Sequence, residues 1–138
     1  MIAILLGLAM VVMVALGGAI GAVGRWAIAE YGPPLLRRRW PAVTPDRSGP
    51  WMTFVANVLA CFLLGIVVTL LGSAAGVPEL FSLLLAVGLC GGLSTLSTAA
   101  LDVVALVRRG TPAISLGYLC LTIGIGMSAL WLGVVIAR

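Results

Sequence analysis

Residues 80–107 read LFSLLLAVGLCGGLSTLSTAALDVVALV, and this segment says most about the architecture of the chain. As one continuous α-helix it would measure about 42 Å, more than the roughly 30 Å of a bilayer's hydrocarbon core. Residues 88–98 within it carry three glycines and four hydroxyl side chains. Irregular backbone at membrane depth is tolerated only inside protein or beside a cavity. We therefore predict a broken helix; the alternative is a continuous helix whose hydroxyls bond to its own carbonyls.

The composition predicts an integral membrane protein. Of the 138 residues, 62% are hydrophobic and 9% are charged, whereas a soluble domain carries roughly 25% charged residues. Three further apolar runs, at residues 3–28, 51–71 and 113–137, are long enough to cross a bilayer. Backbone groups in lipid must pair within their own segment, so we expect four transmembrane α-helices. The predicted fold is an all-α membrane protein that forms one four-helix domain over residues 1–138.

Three predicted loops separate the four spans. Prolines and glycines mark them: Pro33, Pro34, Pro41, Pro45, Gly49 and Pro50 in the first loop, Gly72, Gly76 and Pro78 in the second, Gly110 and Pro112 in the third.

The basic residues, all of them arginines, predict the orientation of the chain. Six of the eight lie in the first and third loops, which share one side of a four-span chain: Arg37, Arg38, Arg39, Arg47, Arg108 and Arg109. The opposite side has only Arg138. The positive-inside rule therefore predicts one fixed orientation, with loops one and three in the cytoplasm and both termini outside.

The other polar residues argue against several functions. Histidine is absent and the cysteines Cys61, Cys90 and Cys120 lie inside apolar runs, which argues against a metal centre, a disulfide framework or an enzyme active site. None of the four acids stands in the middle of an apolar run, which argues against proton coupling. They are Glu30, Asp46, Glu79 and Asp102. The net charge of +4 comes from arginines in loops, so no nucleic-acid partner is expected.

Three polar or small-residue features stand inside the other spans. Gly17 and Gly21 form a small-xxx-small face that favours close helix packing. Arg25 ends the first span and is either a snorkelling interfacial arginine or an anion-attracting charge at a vestibule. Asn57 in the second span needs a partner in lipid, and the sequence leaves open whether it joins helices or lines a pore.

Tyr118 and Thr122 are four residues apart, so they share one face of the fourth span. This pair either extends a polar path or packs against another helix.

Taken in order, these segments resemble the Fluc (CrcB) family of bacterial fluoride channels. Residues 17–26, GGAIGAVGRW, are similar to the family's GGxxGAxxR-aromatic segment. Residues 53–65, TFVANVLACFLLG, are similar to its TLxxNxxGsFxxG segment, and residues 88–98 to its GxxGGxTTFST segment. The resemblance covers nearly the whole chain.

This resemblance implies an antiparallel dimer with two narrow pores in the bacterial inner membrane, through which fluoride leaves the cytoplasm passively. It also implies a structural Na⁺ at the dimer centre, held by backbone carbonyls of Gly91 and Ser94 from each subunit. Arg25 matches the vestibule arginine, and Tyr118 and Thr122 match the polar track by spacing only. The implied fluoride path consists of Asn57, Phe62, Leu96, Ser97, Thr98, Ala99, Tyr118 and Thr122.

The chain departs from the family pattern at the aromatic positions. Leu96 and Ala99 stand where the family has two phenylalanines whose electropositive ring edges contact fluoride. Asp102 stands where the family has glutamate, and Ala60 and Cys61 replace a glycine and a small serine. This chain therefore lacks some of the side chains that would face the anion in the pore.

The fixed orientation conflicts with an antiparallel homodimer. Our hypothesis is therefore a heterodimer whose homologous partner is inserted the other way up and supplies the phenylalanines; a homodimer is the alternative that stays open. Two other functions stay open. A four-span multidrug-type exporter would need a carboxylate inside its first span, which has none before Glu30. A non-conducting membrane assembly subunit would be held by small-residue helix faces.

Overall fold

The structure, a computed structural model, describes residues 1–41, 45–72 and 79–138, and all regular elements in these ranges are helices. Within these ranges, four helical stretches are long and apolar enough to cross a membrane, which confirms the prediction of four such segments: Ile2–Arg39, Ser48–Gly72, Leu80–Arg108 and Pro112–Ile136. The elements in chain order are α1 (Ile2–Arg39), α2 (Pro45–Gly72), α3 (Glu79–Ser82), a π-helix (Leu83–Cys90), α4 (Gly91–Leu93), α5 (Leu96–Arg108) and α6 (Pro112–Ile136).

The third span is the most irregular. Helices α3 and α4 flank the π-helix without a gap, and then the backbone changes. Ser94 has φ −75° and ψ 154°, and Thr95 has φ −150° and ψ 115°, so both residues are extended. Helix α5 begins directly afterwards, and the Thr95 hydroxyl caps it by accepting the N–H of Thr98 at 3.2 Å.

Helix α1 is longer than the predicted first span, so the predicted start of the first loop is wrong. Helix α1 continues through Pro33 and Pro34 to Arg39, eleven residues beyond the expected end at residue 28. Each proline removes one backbone donor, and the carbonyls concerned belong to Ala29 and Glu30, which are exposed. Because these residues are exposed, other polar groups can satisfy the freed carbonyls, and the helix continues past the prolines.

The first loop is also shorter than expected at its other end, because α2 begins at Pro45. Pro45 opens α2, where proline is tolerated because the first amide of a helix has no helical partner. Gly49 and Pro50 lie inside the first turns of the same helix. The Arg47 side chain and the second-loop residues Gly76 and Pro78 lie outside the described part of the chain.

Glycines bring α1 and the third span into backbone contact. A Cβ on Gly17 would meet the carbonyl oxygen of Leu84 and lie 2.9 Å from the amide nitrogen of Leu89. A Cβ on Gly21 would lie 2.7 Å from the amide nitrogen of Leu93. The predicted small-xxx-small packing face of the first span is therefore confirmed.

A second close pair joins α2 to α6. A Cβ on Gly65 would lie 3.1 Å from the amide nitrogen of Val134, and a Cβ on Gly133 would lie 3.1 Å from that of Ile66. Helix α5 packs on both α2 and α6. The face of α2 that carries Asn57 is thereby brought against the extended residues of the third span.

Candidate functional site

Asn57 on α2 binds both backbone groups of Thr95. Its Oδ1 accepts the Thr95 N–H at 2.7 Å, and its Nδ2 donates to the Thr95 carbonyl at 3.3 Å. A side-chain amide has both a donor and an acceptor, so it can pair with an extended residue as a neighbouring strand would. Asn57 therefore satisfies backbone groups of Thr95 that are no longer part of a helix. This contact joins the second span to the third.

The hydroxyl groups of Thr95, Ser97 and Thr98 lie close together beside this contact. The Thr95 Oγ1 lies 3.0 Å from the Thr98 Oγ1 and donates to it, and it lies 3.2 Å from the Ser97 Oγ. Thr95 is only 7% exposed. A hydroxyl has one proton to donate. Because Thr95 gives its proton to Thr98, the Thr98 hydroxyl keeps its own proton for another acceptor.

The carbonyls of Gly91 and Ser94 lose their helical donors. In a continuous helix they would accept the N–H groups of residues 95 and 98. Here the Thr95 N–H bonds to Asn57, and the Thr98 N–H bonds to the Thr95 hydroxyl. The Gly91 carbonyl instead accepts a long hydrogen bond of 3.5 Å from the Ser94 hydroxyl. Carbonyl oxygens freed in this way suit a hard cation such as Na⁺.

A cavity of about 430 Å³ opens beside the hydroxyls. Arg25 and Asp102 both line it, so the cavity holds one positive and one negative side chain. Thr98 and Thr53 add hydroxyls to its wall. The structure thus brings Arg25, from the end of the first apolar run, to the same space as residues of α2 and α5.

Asp102 also connects this cavity with the fourth span. The Tyr118 hydroxyl donates to its Oδ2 at 3.3 Å. Thr122 bonds within its own helix, since its hydroxyl donates to the Tyr118 carbonyl at 2.7 Å. Of the two residues predicted to share one face, Tyr118 therefore reaches the third span through its side chain.

The remaining predicted site residues differ in exposure. Leu96 is 84% exposed, so its side chain points away from the chain. Ala99 is only 6% exposed, and the methyl group is enclosed by the chain itself. Phe62 on α2 is half-buried, five residues beyond Asn57.

Three residues of this site were not predicted from the sequence: Thr53, Thr95 and Asp102. Thr95 stands inside the hydroxyl-rich run, and threonine is a favoured residue at a helix N-cap. Thr53 precedes Asn57 by four residues and so shares its helix face. Asp102 has the same relation to Thr98 on α5.

The helices can span a bilayer, and a polar site lies between them. These two features define a small multi-pass membrane protein. The sequence model of the family described as "CrcB-like protein, Camphor Resistance (CrcB)" matches residues 12–134. The chain belongs to this family.

Several relatives carry a functional name. A protein of Rhodococcus jostii (strain RHA1) named "Fluoride-specific ion channel FluC 2" is 37% identical over 89% of this chain and 94% of its own length. A protein of the same name from Nocardia farcinica (strain IFM 10152) is 35% identical over 94% of this chain and 86% of its own length. The "Fluoride-specific ion channel FluC" of Erythrobacter litoralis (strain HTCC2594) is 35% identical over 91% of this chain and 89% of its own length.

Proposed function

We propose that this chain is a subunit of a fluoride channel that lets F⁻ leave the cytoplasm down its gradient. The observation that carries the proposal is the double hydrogen bond between Asn57 and Thr95 at the interruption of the third span. It holds donors beside a cavity, and relatives named as fluoride channels are similar to this chain over 89–94% of its length. These relatives give no support to an exporter.

The donors at the site suit a small anion. The Asn57 Nδ2 has two N–H groups and gives one to the Thr95 carbonyl, so the second can donate to an anion. The Thr98 hydroxyl likewise keeps its proton, and it lines the cavity with Arg25. Fluoride must exchange its hydration shell for strong donors, and the width of the passage would then select against larger anions.

The interruption at Ser94 and Thr95 supports a broken third transmembrane helix in the assembled channel. Gly91 and Ser94 would hold the structural Na⁺ through their carbonyls, whose helical donors bond elsewhere. Carbonyl oxygen is a ligand type that unwound membrane helices offer to Na⁺. The ion would hold together the segments that contribute carbonyls to it.

We further propose that the functional unit is an antiparallel dimer in the inner membrane, with loops one and three of this chain in the cytoplasm. The arginine bias gives this chain one orientation. A homologous partner in the opposite orientation would complete the dimer and bring phenylalanines that this chain lacks at Leu96 and Ala99. The exposure of the Leu96 side chain supports a contact with such a partner.

The test is fluoride efflux from liposomes loaded with potassium fluoride and followed with a fluoride electrode after valinomycin is added. Three preparations are compared: this chain alone, this chain with the product of a neighbouring homologous gene, and empty liposomes. We expect efflux well above the empty liposomes only for the pair, and no chloride efflux.

Arg25→Gln in the pair should slow efflux about ten-fold at low salt, because a charge at a vestibule raises the local anion concentration. Arg37→Gln, outside the cavity, is the matched control.

Each alternative outcome has a separate meaning. Efflux by this chain alone would disprove the heterodimer. A stable pair without any fluoride flux would disprove the channel and favour an assembly subunit. Proton movement driven by a cationic drug would favour an exporter.

A further inference from the structure

An apolar groove runs along the outside of α1 and α2 at the end of the chain's first span. Its volume is about 580 Å³, and its walls include Tyr31, Leu35 and Trp40 of the α1 side and Met52 and Val55 of α2. It lies apart from the cavity that contains Arg25 and Asp102, although Met52 borders both spaces. The proposed channel function makes no use of this groove.

Arginines stand at one end of the groove. Arg38 and Arg39 follow Leu35 by three and four residues, so they lie on the helix face that carries Leu35. Arg37 follows by two residues and lies on another face, where its Nε donates to the Pro33 carbonyl at 3.4 Å. The guanidinium carbon of Arg39 lies 5.6 Å from the ring centroid of Trp40. The groove therefore has two cationic side chains on its own face.

The position of the groove along α1 matches the level of the membrane interface. Helix α1 has 38 residues and measures about 57 Å, well beyond a hydrocarbon core of about 30 Å. The groove lies along its last part, where the apolar run gives way to arginines. Tyr31 is 60% exposed and Trp40 is 57% exposed. Aromatic residues of this kind are enriched at the level of the lipid headgroups.

We propose that this groove binds an anionic phospholipid. One acyl chain would lie along Leu35, Met52 and Val55, and the phosphate would sit between the guanidinium groups of Arg38 and Arg39. Trp40 would lie at the level of the glycerol backbone. Basic clusters next to a transmembrane helix attract anionic lipids, and the adjoining apolar wall gives the acyl chain a fixed place. Apolar shape and opposite charge together identify the occupant as this class of lipid.

The test uses Trp40 as the reporter in the full chain. Trp26, Trp51 and Trp131 are changed to Phe, and the protein is reconstituted into phosphatidylcholine vesicles. A small fraction of either brominated phosphatidylglycerol or brominated phosphatidylcholine is then added, since bromine quenches tryptophan on contact. We expect phosphatidylglycerol to quench Trp40 at a lower mole fraction than phosphatidylcholine. Arg38→Gln with Arg39→Gln should reduce this preference about five-fold for each arginine removed.

Two matched controls separate the groove from general surface charge. Arg108→Gln with Arg109→Gln removes two arginines elsewhere on the chain and should leave the preference unchanged. Val55→Phe should weaken it by filling the groove, whereas Val68→Phe, at an exposed position of the same helix outside the groove, should not. If the Arg38 and Arg39 variant does not fold, a rise in salt should remove the preference in the parent protein.

Equal quenching by the two lipids would overturn the proposal. A preference that survives the loss of Arg38 and Arg39 would also overturn it. Protection of Trp40 from both lipids would show that protein, such as a second copy of the chain, covers the groove, and the lipid site would then be rejected.

Discussion

Asn57 shows how one side chain can be read two ways from sequence. An amide in an apolar span predicts a buried partner, and either interhelical bonding or pore lining meets that need. The structure places both amide atoms on Thr95, so the interhelical contact is real. The partner could not be predicted from spacing, because residues 57 and 95 meet only through the packing of whole helices.

We predict that Asn57→Leu destabilises the protein by about 1–3 kcal/mol. Leucine removes a donor and an acceptor, and leaves the Thr95 N–H and C=O without their partner. The free energy of unfolding in detergent micelles measures this. Ser128→Ala is the control, because that hydroxyl bonds only to the Gly124 carbonyl of its own helix at 2.9 Å among the contacts described. Equal losses in both variants would contradict the role of Asn57.

Leu96 and Ala99 replace the two expected phenylalanines, yet their surroundings differ. Leu96→Phe should change stability by less than about 0.5 kcal/mol, because the side chain is 84% exposed. Ala99→Phe should cost about 1–3 kcal/mol, because an enclosed methyl group would be replaced by a ring. Unfolding in detergent again gives the comparison. An Ala99→Phe protein as stable as its parent would show that the enclosed space can expand.

At the scale of secondary-structure elements, the sequence predicted which helices exist better than where each helix ends. Length and hydropathy predicted four spans, and the glycine spacing predicted the packing face of α1. The prolines misled the prediction of where α1 ends, because the residues whose carbonyls lose a donor, Ala29 and Glu30, are exposed and the helix continues. The π-helical stretch Leu83–Cys90, which packs against α1, had no signal in an apolar run.

We predict that Gly17→Ala separates α1 from the third span and costs about 1–3 kcal/mol. The new Cβ would meet backbone atoms of residues 84, 88 and 89, which cannot move independently of their helix. Gly7→Ala on the same helix is the control. A Cβ there meets nothing within 4 Å, so a helix-favouring alanine should be neutral or stabilising by up to about 1 kcal/mol. Denaturant titration in micelles measures both variants, and similar destabilisation would refute close packing at Gly17.

At the scale of the whole molecule, orientation is the property that most affects assembly. We predict that a reporter fused after Arg138 shows one orientation, with green fluorescent protein dark and alkaline phosphatase active. Arg37→Gln, Arg38→Gln and Arg39→Gln together should produce mixed orientations, because they remove half of the arginines in loops one and three. Arg138→Gln is the control and should leave the orientation fixed. Mixed orientations in the unchanged chain would remove the case for a partner of opposite orientation.

The two extended residues at 94 and 95 also create two helix ends within the third span. The end at Leu93 presents carbonyls and carries a partial negative charge, while the start of α5 at Leu96 presents amides and carries a partial positive charge. In a continuous helix these opposite partial charges would cancel each other, whereas the interruption leaves both of them. Two extended residues thus leave helix poles of opposite sign only a few residues apart, inside one apolar span.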